Sequence, residues 1–231
     1  MANRAYLRIW TRGYGEAIML EQFEKLLSTI PFAAEKPGIL SLTIQAVDMA
    51  ETPLAEWDMR SQPLDASAVV ARARDHRHAD TAYFAQAFWD LWVYDNALGR
   101  WQKRPQELQI SCFGLEFDSG VTAEMGHFEV GIGFEHLFTG HAGLLGSQTA
   151  AVVPTEHPLE ASFIAAMSRK ENLRQYHEKT RENIQRLMNW VNVIEEALPV
   201  ERVLLWSEGE EDFKRRLDDI VTATESTRLE Q

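Results

Sequence analysis

The sequence predicts an α+β fold, a two-layer sandwich in which a mixed, largely antiparallel sheet carries helices on one face. Three observations lead there. Several strand-like segments alternate polar and apolar residues, as strands with one wet face do. The aromatic-rich stretch from Thr81 to Phe138 holds three strand-like segments, two of them joined by turn chemistry. Between the remaining strands lie stretches with one apolar side at helical spacing, which can cover a sheet. The predicted order is β-α-β-α-β-β-β-α-β-α.

Tyr6 to Arg12 alternates, with Leu7 and Ile9 on one side and Tyr6, Arg8 and Trp10 on the other, so it reads as a half-buried strand. Gly13 and Gly15 break it, and Ala17, Leu20, Phe23, Leu26, Leu27 and Ile30 then follow at helical spacing up to Pro31. Ile39 to Val47 is a second strand, burying Leu40, Leu42, Ile44 and Ala46. Asp48 to Pro63, with Pro53 and Pro63 and no clear period, reads as a long connection. Asp65 is placed to cap a helix over Ala66 to His78.

Tyr83 to Tyr94 is apolar on both faces, which suits a central strand, and Asp95-Asn96-Ala97-Leu98-Gly99 turns it into the next. In that strand Leu108, Ile110 and Cys112 alternate, after which Phe113, Leu115 and Phe117 take the opposite phase; a bulge beside Gly114 would produce the switch. The next strand sets Phe128, Val130, Ile132 and Phe134 against His127, Glu129, Gly131, Gly133 and Glu135. A Gly-rich loop, Thr139 to Gly146, leads to one long helix over 159–198. Its apolar seam is Leu173, His177, Thr180, Ile184, Leu187, Val191, Ile194 and Leu198. Pro199 stops this helix, Val200 to Ser207 is a short strand, and Glu210 to Thr224 is a last amphipathic helix. No composition shift marks a boundary, so residues 1–231 are expected to form a single domain, with 224–231 a frayed polar tail.

A composition of 45% hydrophobic and 25% charged residues places the chain among globular proteins. At 231 residues it can bury a core that needs no staples. The single cysteine, Cys112, allows no internal disulfide and fits a reducing compartment. No apolar run approaches the roughly 20 residues that span a bilayer, and the first residues carry no signal-peptide pattern, so the expected location is the cytoplasm. A net charge of −12 argues against nucleic acid and anionic membranes as partners and favours a basic protein.

The polar clusters carry weak signals. His127 and Glu129, two apart on a strand, share a face at roughly 7 Å. With Glu135 on the same face and His141 beyond the strand end, they form a candidate divalent-metal set that could activate water. The spacing matches no established zinc signature, and a solvated sheet face shows the same alternation. His136 belongs to the opposite phase if the strand stays regular. The glycines at 13 and 15 partly match a dinucleotide fingerprint, but Ile18 stands where glycine or alanine is required. Gly140, Gly143 and Gly146 are followed by no Lys-Ser or Lys-Thr pair, so they make no P-loop. Cys112 has no neighbouring base and reads as a small apolar residue. Trp57, Arg60 and Trp101, in or beside connections, are candidate binding anchors. Glu208, Glu210, Glu211 and Asp212 form an acidic patch whose simpler role is to complement a helix N-terminus.

The leading expectation is therefore a non-enzymatic, protein-binding module with an acidic or aromatic surface, of the inhibitor or immunity-protein kind, needing no cofactor. Two alternatives stand beside it. One is a metal-assisted hydrolase built on His127, Glu129, Glu135 and His141. The other is a small-ligand binder with an apolar pocket between the sheet and the Gly140–Gly146 loop. The seam of the 159–198 helix could pack on the parent sheet or on a second copy of the chain.

Overall fold

Alternating burial begins at once: in β1 (Arg4–Thr11) every second residue, Ala5, Leu7, Ile9 and Thr11, faces inward. The computed structural model describes residues 3–141, 144–145, 158–167, 169–209 and 212–228. Among them, β1 joins β2 (Ser41–Ala46), β3 (Ala55–Asp58), β4 (Thr81–Asp95), β5 (Arg100–Phe113), β6 (Phe128–Phe134) and β7 (Val200–Ser207) in one sheet of order β3-β2-β4-β5-β6-β1-β7. Every strand pairing is antiparallel, where a mixed sheet was expected. The registers bring Leu205, Leu7, Val130, Ile110, Ala85 and Leu42 into one transverse row on the inner face.

Helices cover that face. In α1 (Glu16–Ser28), Met19, Leu20, Phe23, Leu26 and Leu27 are buried, and the helix ends where the N–H groups of Thr29 and Ile30 turn back to the carbonyls of Leu26 and Leu27, just before Pro31. α2 (Ala66–Ala73) starts at Asp65, whose Oδ1 accepts the Ala68 N–H at 2.8 Å, as its cap position required. α6 (Lys170–Ala197) buries Ile184, Leu187, Val191 and Ile194 in the same continuous core as the sheet, so its seam is occupied by the parent fold. α7 (Phe213–Arg228) adds Phe213, Leu217 and Ile220.

The α+β sandwich is as the sequence predicts, with five local differences. The 48–63 connection contains β3, a four-residue edge strand whose only inward aromatic is Trp57. The helix expected to reach His78 stops at Ala73 and tightens into a 3-10 turn over Arg74–His76. No bulge follows Cys112. The strand ends at Phe113, and Phe117 belongs to a 3-10 turn over Phe117–Ser119. That turn and α3 (Thr122–Met125) pack on Phe84 and Phe113 of the outer face, so the helices are not confined to one side. Register shifts lie instead in β1, at Ala5/Tyr6 opposite the glycines of β6 and at Trp10/Thr11 against β7. Finally, the 159–198 segment is two helices, α5 (Pro158–Met167) and α6, and Arg169 between them has extended backbone.

One feature of the sheet positions the candidate site. β4 and β5 outrun their neighbours: β2 follows β4 only as far as Gln86, and β6 follows β5 only over Gln109–Cys112. Beyond Trp89 the two strands form a free-standing arm closed by Asp95, whose Oδ1 accepts the N–H groups of Ala97 and Leu98. Pro105, which donates no ladder hydrogen bond, sits in this arm, where β5 has a free edge.

Candidate functional site

A two-stranded arm is marginal by itself in water, and α6 supplies the missing edge. Asn183, 2% exposed, accepts the Trp92 N–H through Oδ1 at 2.8 Å and donates through Nδ2 to the Trp92 carbonyl at 3.0 Å. Its second Nδ2 hydrogen goes to the carbonyl of Leu137 at 3.0 Å, in the single turn α4 (His136–Thr139) that follows β6. One side chain thus fastens arm, α4 and α6 together. The Trp92 indole adds a hydrogen bond to Glu182, and the ammonium groups of Lys179 and Lys103 lie 4.0 and 5.4 Å from its ring centroid.

Between these elements opens a cleft of about 970 Å³, lined by the arm, α4, α5, α6 and Asn3. Its walls are rings in edge and stacked contact. Trp101 lies 5.3 Å from Tyr176 and 5.4 Å from Tyr94. Phe163 lies 5.6 Å from both Tyr94 and Tyr176. His141 meets Phe163 edge-on at 5.3 Å and stacks on His136 at 4.2 Å. The backbone N–H of His141 donates to the Tyr176 hydroxyl at 2.7 Å, and burial pushes that phenol's pKa well up.

Burial, with the neighbouring His141 second, pushes the His136 pKa down to about 4. Burial lowers His141 too, against the opposing charge of Glu160. Both imidazoles are therefore neutral at pH 7, each offering one donor and one acceptor nitrogen. Glu135 and Glu160 add carboxylates to the lining, and Glu135 Oε2 accepts the Gly209 N–H at 3.1 Å.

The structure separates the four residues expected to share a metal. His127 stacks on Tyr14 at 4.0 Å, and its Nδ1 accepts the Thr11 N–H at 3.0 Å, which leaves the proton of the neutral ring on Nε2. Glu129, 8% exposed, takes the Arg8 guanidinium at 2.6 Å; burial raises its pKa and Arg8 opposes that shift. Glu135 and His141 line the cleft, away from that pair. Among the described residues, no three of His, Cys, Asp and Glu gather closely enough to hold a metal ion. Cys112 is fully buried beneath Tyr14, its thiol pushed up to about 12 by burial.

The expected binding anchors also part. Trp57 and Arg60 stand at the β3 edge, Trp57 packed on the core and Arg60 exposed beside Asp58. Glu208 is at the opposite edge, holding the Arg4 N–H and the Tyr6 hydroxyl at 2.9 Å each. Asp212 accepts the Arg215 N–H at the start of α7, and Glu210 and Glu211 lie outside the described residues. A seven-stranded sheet puts roughly 29 Å between its edges at about 4.8 Å per strand. Trp57 and Arg60 therefore do not share one surface with Glu208. Trp101 is the anchor that joins Glu135 and His141 in the cleft.

Sequence reasoning missed His136, Tyr94, Glu160, Phe163, Tyr176 and Asn183. Tyr176, Thr180, Asn183, Leu187, Trp190 and Ile194 step by four and three along α6 and are all buried; the stripe shares Thr180, Leu187 and Ile194 with the seam that was read, in which Leu173 and His177 are only half-buried. Comparison of the chain with protein-family models, with curated proteins and with solved structures finds no match. Among the described residues, no helix is long and apolar enough to cross a membrane.

Proposed function

We propose that this protein binds a small organic molecule in the cleft between the β4–β5 arm, α4, α5 and α6. The observation that carries the reading is convergence: Tyr94, Trp101, His141, Phe163 and Tyr176, drawn from separate elements, wall a cavity of about 970 Å³. That volume is at the upper end of ordinary ligand sites, which pair apolar walls with a few polar groups. Here the polar groups include His136, His141, Asn96, Glu135 and Glu160. Rings give a ligand contact area at little entropic cost, and the neutral imidazoles give it direction.

The protein-binding reading has less support, because Trp57 and Arg60 stand at the opposite sheet edge from Glu208, and Trp101 lies in the cleft. The hydrolase reading has less again, because its four residues are apart.

A thermal-shift screen against a panel of metabolites tests the proposal. A ligand at about a hundredfold its Kd stabilises by roughly 2.7 kcal/mol, raising Tm by about 5–10 °C for a chain of this length. Trp101→Ala, which removes a wall of the cleft, should weaken such a ligand about tenfold or more. A hit whose affinity is indifferent to Trp101→Ala would place binding elsewhere.

A further inference from the structure

Resting on the reading of the cleft as a ligand site, we infer that its ligand is an organic cation: an amine or quaternary ammonium on an aromatic or aliphatic body. The described lining is charged in one sense only. Glu135 and Glu160 contribute carboxylates, and none of the described lining residues is Lys or Arg. A site for a carboxylate or phosphate draws on guanidinium or ammonium groups, and the described lining residues supply none. The two ammonium groups near Trp92 are already placed, Lys179 being bonded to Glu182 at 2.6 Å.

The walls suit the same charge. Trp101, Tyr94 and Tyr176 line the cleft, and the faces of such rings carry negative quadrupoles, which attract a cation within about 6 Å of the ring. Both histidines, neutral at pH 7, do not oppose it. Glu135 keeps acceptor capacity beyond its bond to Gly209, since a carboxylate has about four lone-pair sites. A neutral ligand would strip water from the half-buried Glu135 carboxylate and return no opposite charge. The chain's net charge of −12 draws cations toward the protein from a distance.

The test is a calorimetric titration with matched probes: tryptamine, 3-ethylindole and indole-3-propionate, then choline and its neutral isostere 3,3-dimethylbutan-1-ol. The cation of at least one set should bind about tenfold or more tightly than its neutral partner, with the anion weaker still. Glu160→Gln and Glu135→Gln should each narrow that margin by roughly three- to tenfold, and added salt should weaken the cation alone. Equal or tighter binding of a neutral or anionic probe overturns the cation and leaves the ligand site standing. The same holds if the metabolite screen yields only neutral or anionic ligands sensitive to Trp101→Ala. If neither the probes nor the screen yields any ligand, both inferences fall.

Discussion

Replacing Asn183 tests how the cleft is built. Its amide satisfies three backbone groups at once: the N–H and carbonyl of Trp92 and the carbonyl of Leu137. Asn183→Leu keeps the branched shape and the number of heavy atoms, and all three lose their partner. A buried polar group left unsatisfied costs about 1–3 kcal/mol. Leu137, 7% exposed, should show the full effect. Trp92 is half-buried and partly reached by water, so its two groups should lose about 1 kcal/mol each. The sum is roughly 3–5 kcal/mol. Asn183→Asp should be at least as damaging, because it keeps the bond to the Trp92 N–H and points a carboxylate at two carbonyls. Urea unfolding measures the loss, and hydrogen exchange at the Trp92 amide measures arm detachment. An Asn183→Leu protein within 1 kcal/mol of wild type, with Trp92 exchange unchanged, would refute the idea that this side chain fastens the arm.

Acid should destabilise the fold between about pH 6.5 and pH 4. His136 titrates near 6.5 when unfolded and near 4 when folded, so below 6.5 the unfolded chain binds the extra proton and stability falls with falling pH. The loss is roughly 2–3 kcal/mol by the bottom of the window. His141 and His127 act in the same direction, and Glu129, raised by burial, acts against them. Urea midpoints measured across this range for wild type and His136→Phe check it: the variant should show a visibly shallower slope, and equal slopes would contradict the assignment. Gly114→Ala should destabilise by about 1–3 kcal/mol or more, because the added Cβ would come 2.2 Å from the Ala79 carbonyl oxygen. An unchanged denaturation midpoint would show that the β5 end has room the structure does not give it.

Elements with a strong local signal were legible in the sequence. The alternation of β1, the turn residues at 95–99 and the Asp65 cap each depend on a few adjacent residues. β3 was not, since four residues with one inward aromatic, flanked by prolines, form a strand only because β2 offers an edge. The candidate site was legible in fragments. Trp101, Glu135 and His141 were each singled out, but what brings them together is a bond between residues 91 apart in sequence. His136 was set aside by strand phase; it enters the cleft because the chain leaves β6 and makes one helical turn, which ends the alternation. The metal quartet failed for a related reason. Period-2 spacing put Glu129 on the face of Arg8, and the cross-strand ion pair took its carboxylate.

Titration of the tightest ligand, followed through the indole N–H signals by NMR, bears most directly on whether the ring-walled cleft is where this protein works. Trp92 and Trp101 should shift together and saturate with one affinity, while Trp10, Trp57 and Trp206, on the outer face and the β3 edge, stay in place. Shifts confined to those three, with Trp92 and Trp101 unmoved at saturation, would put the binding site on another part of the molecule.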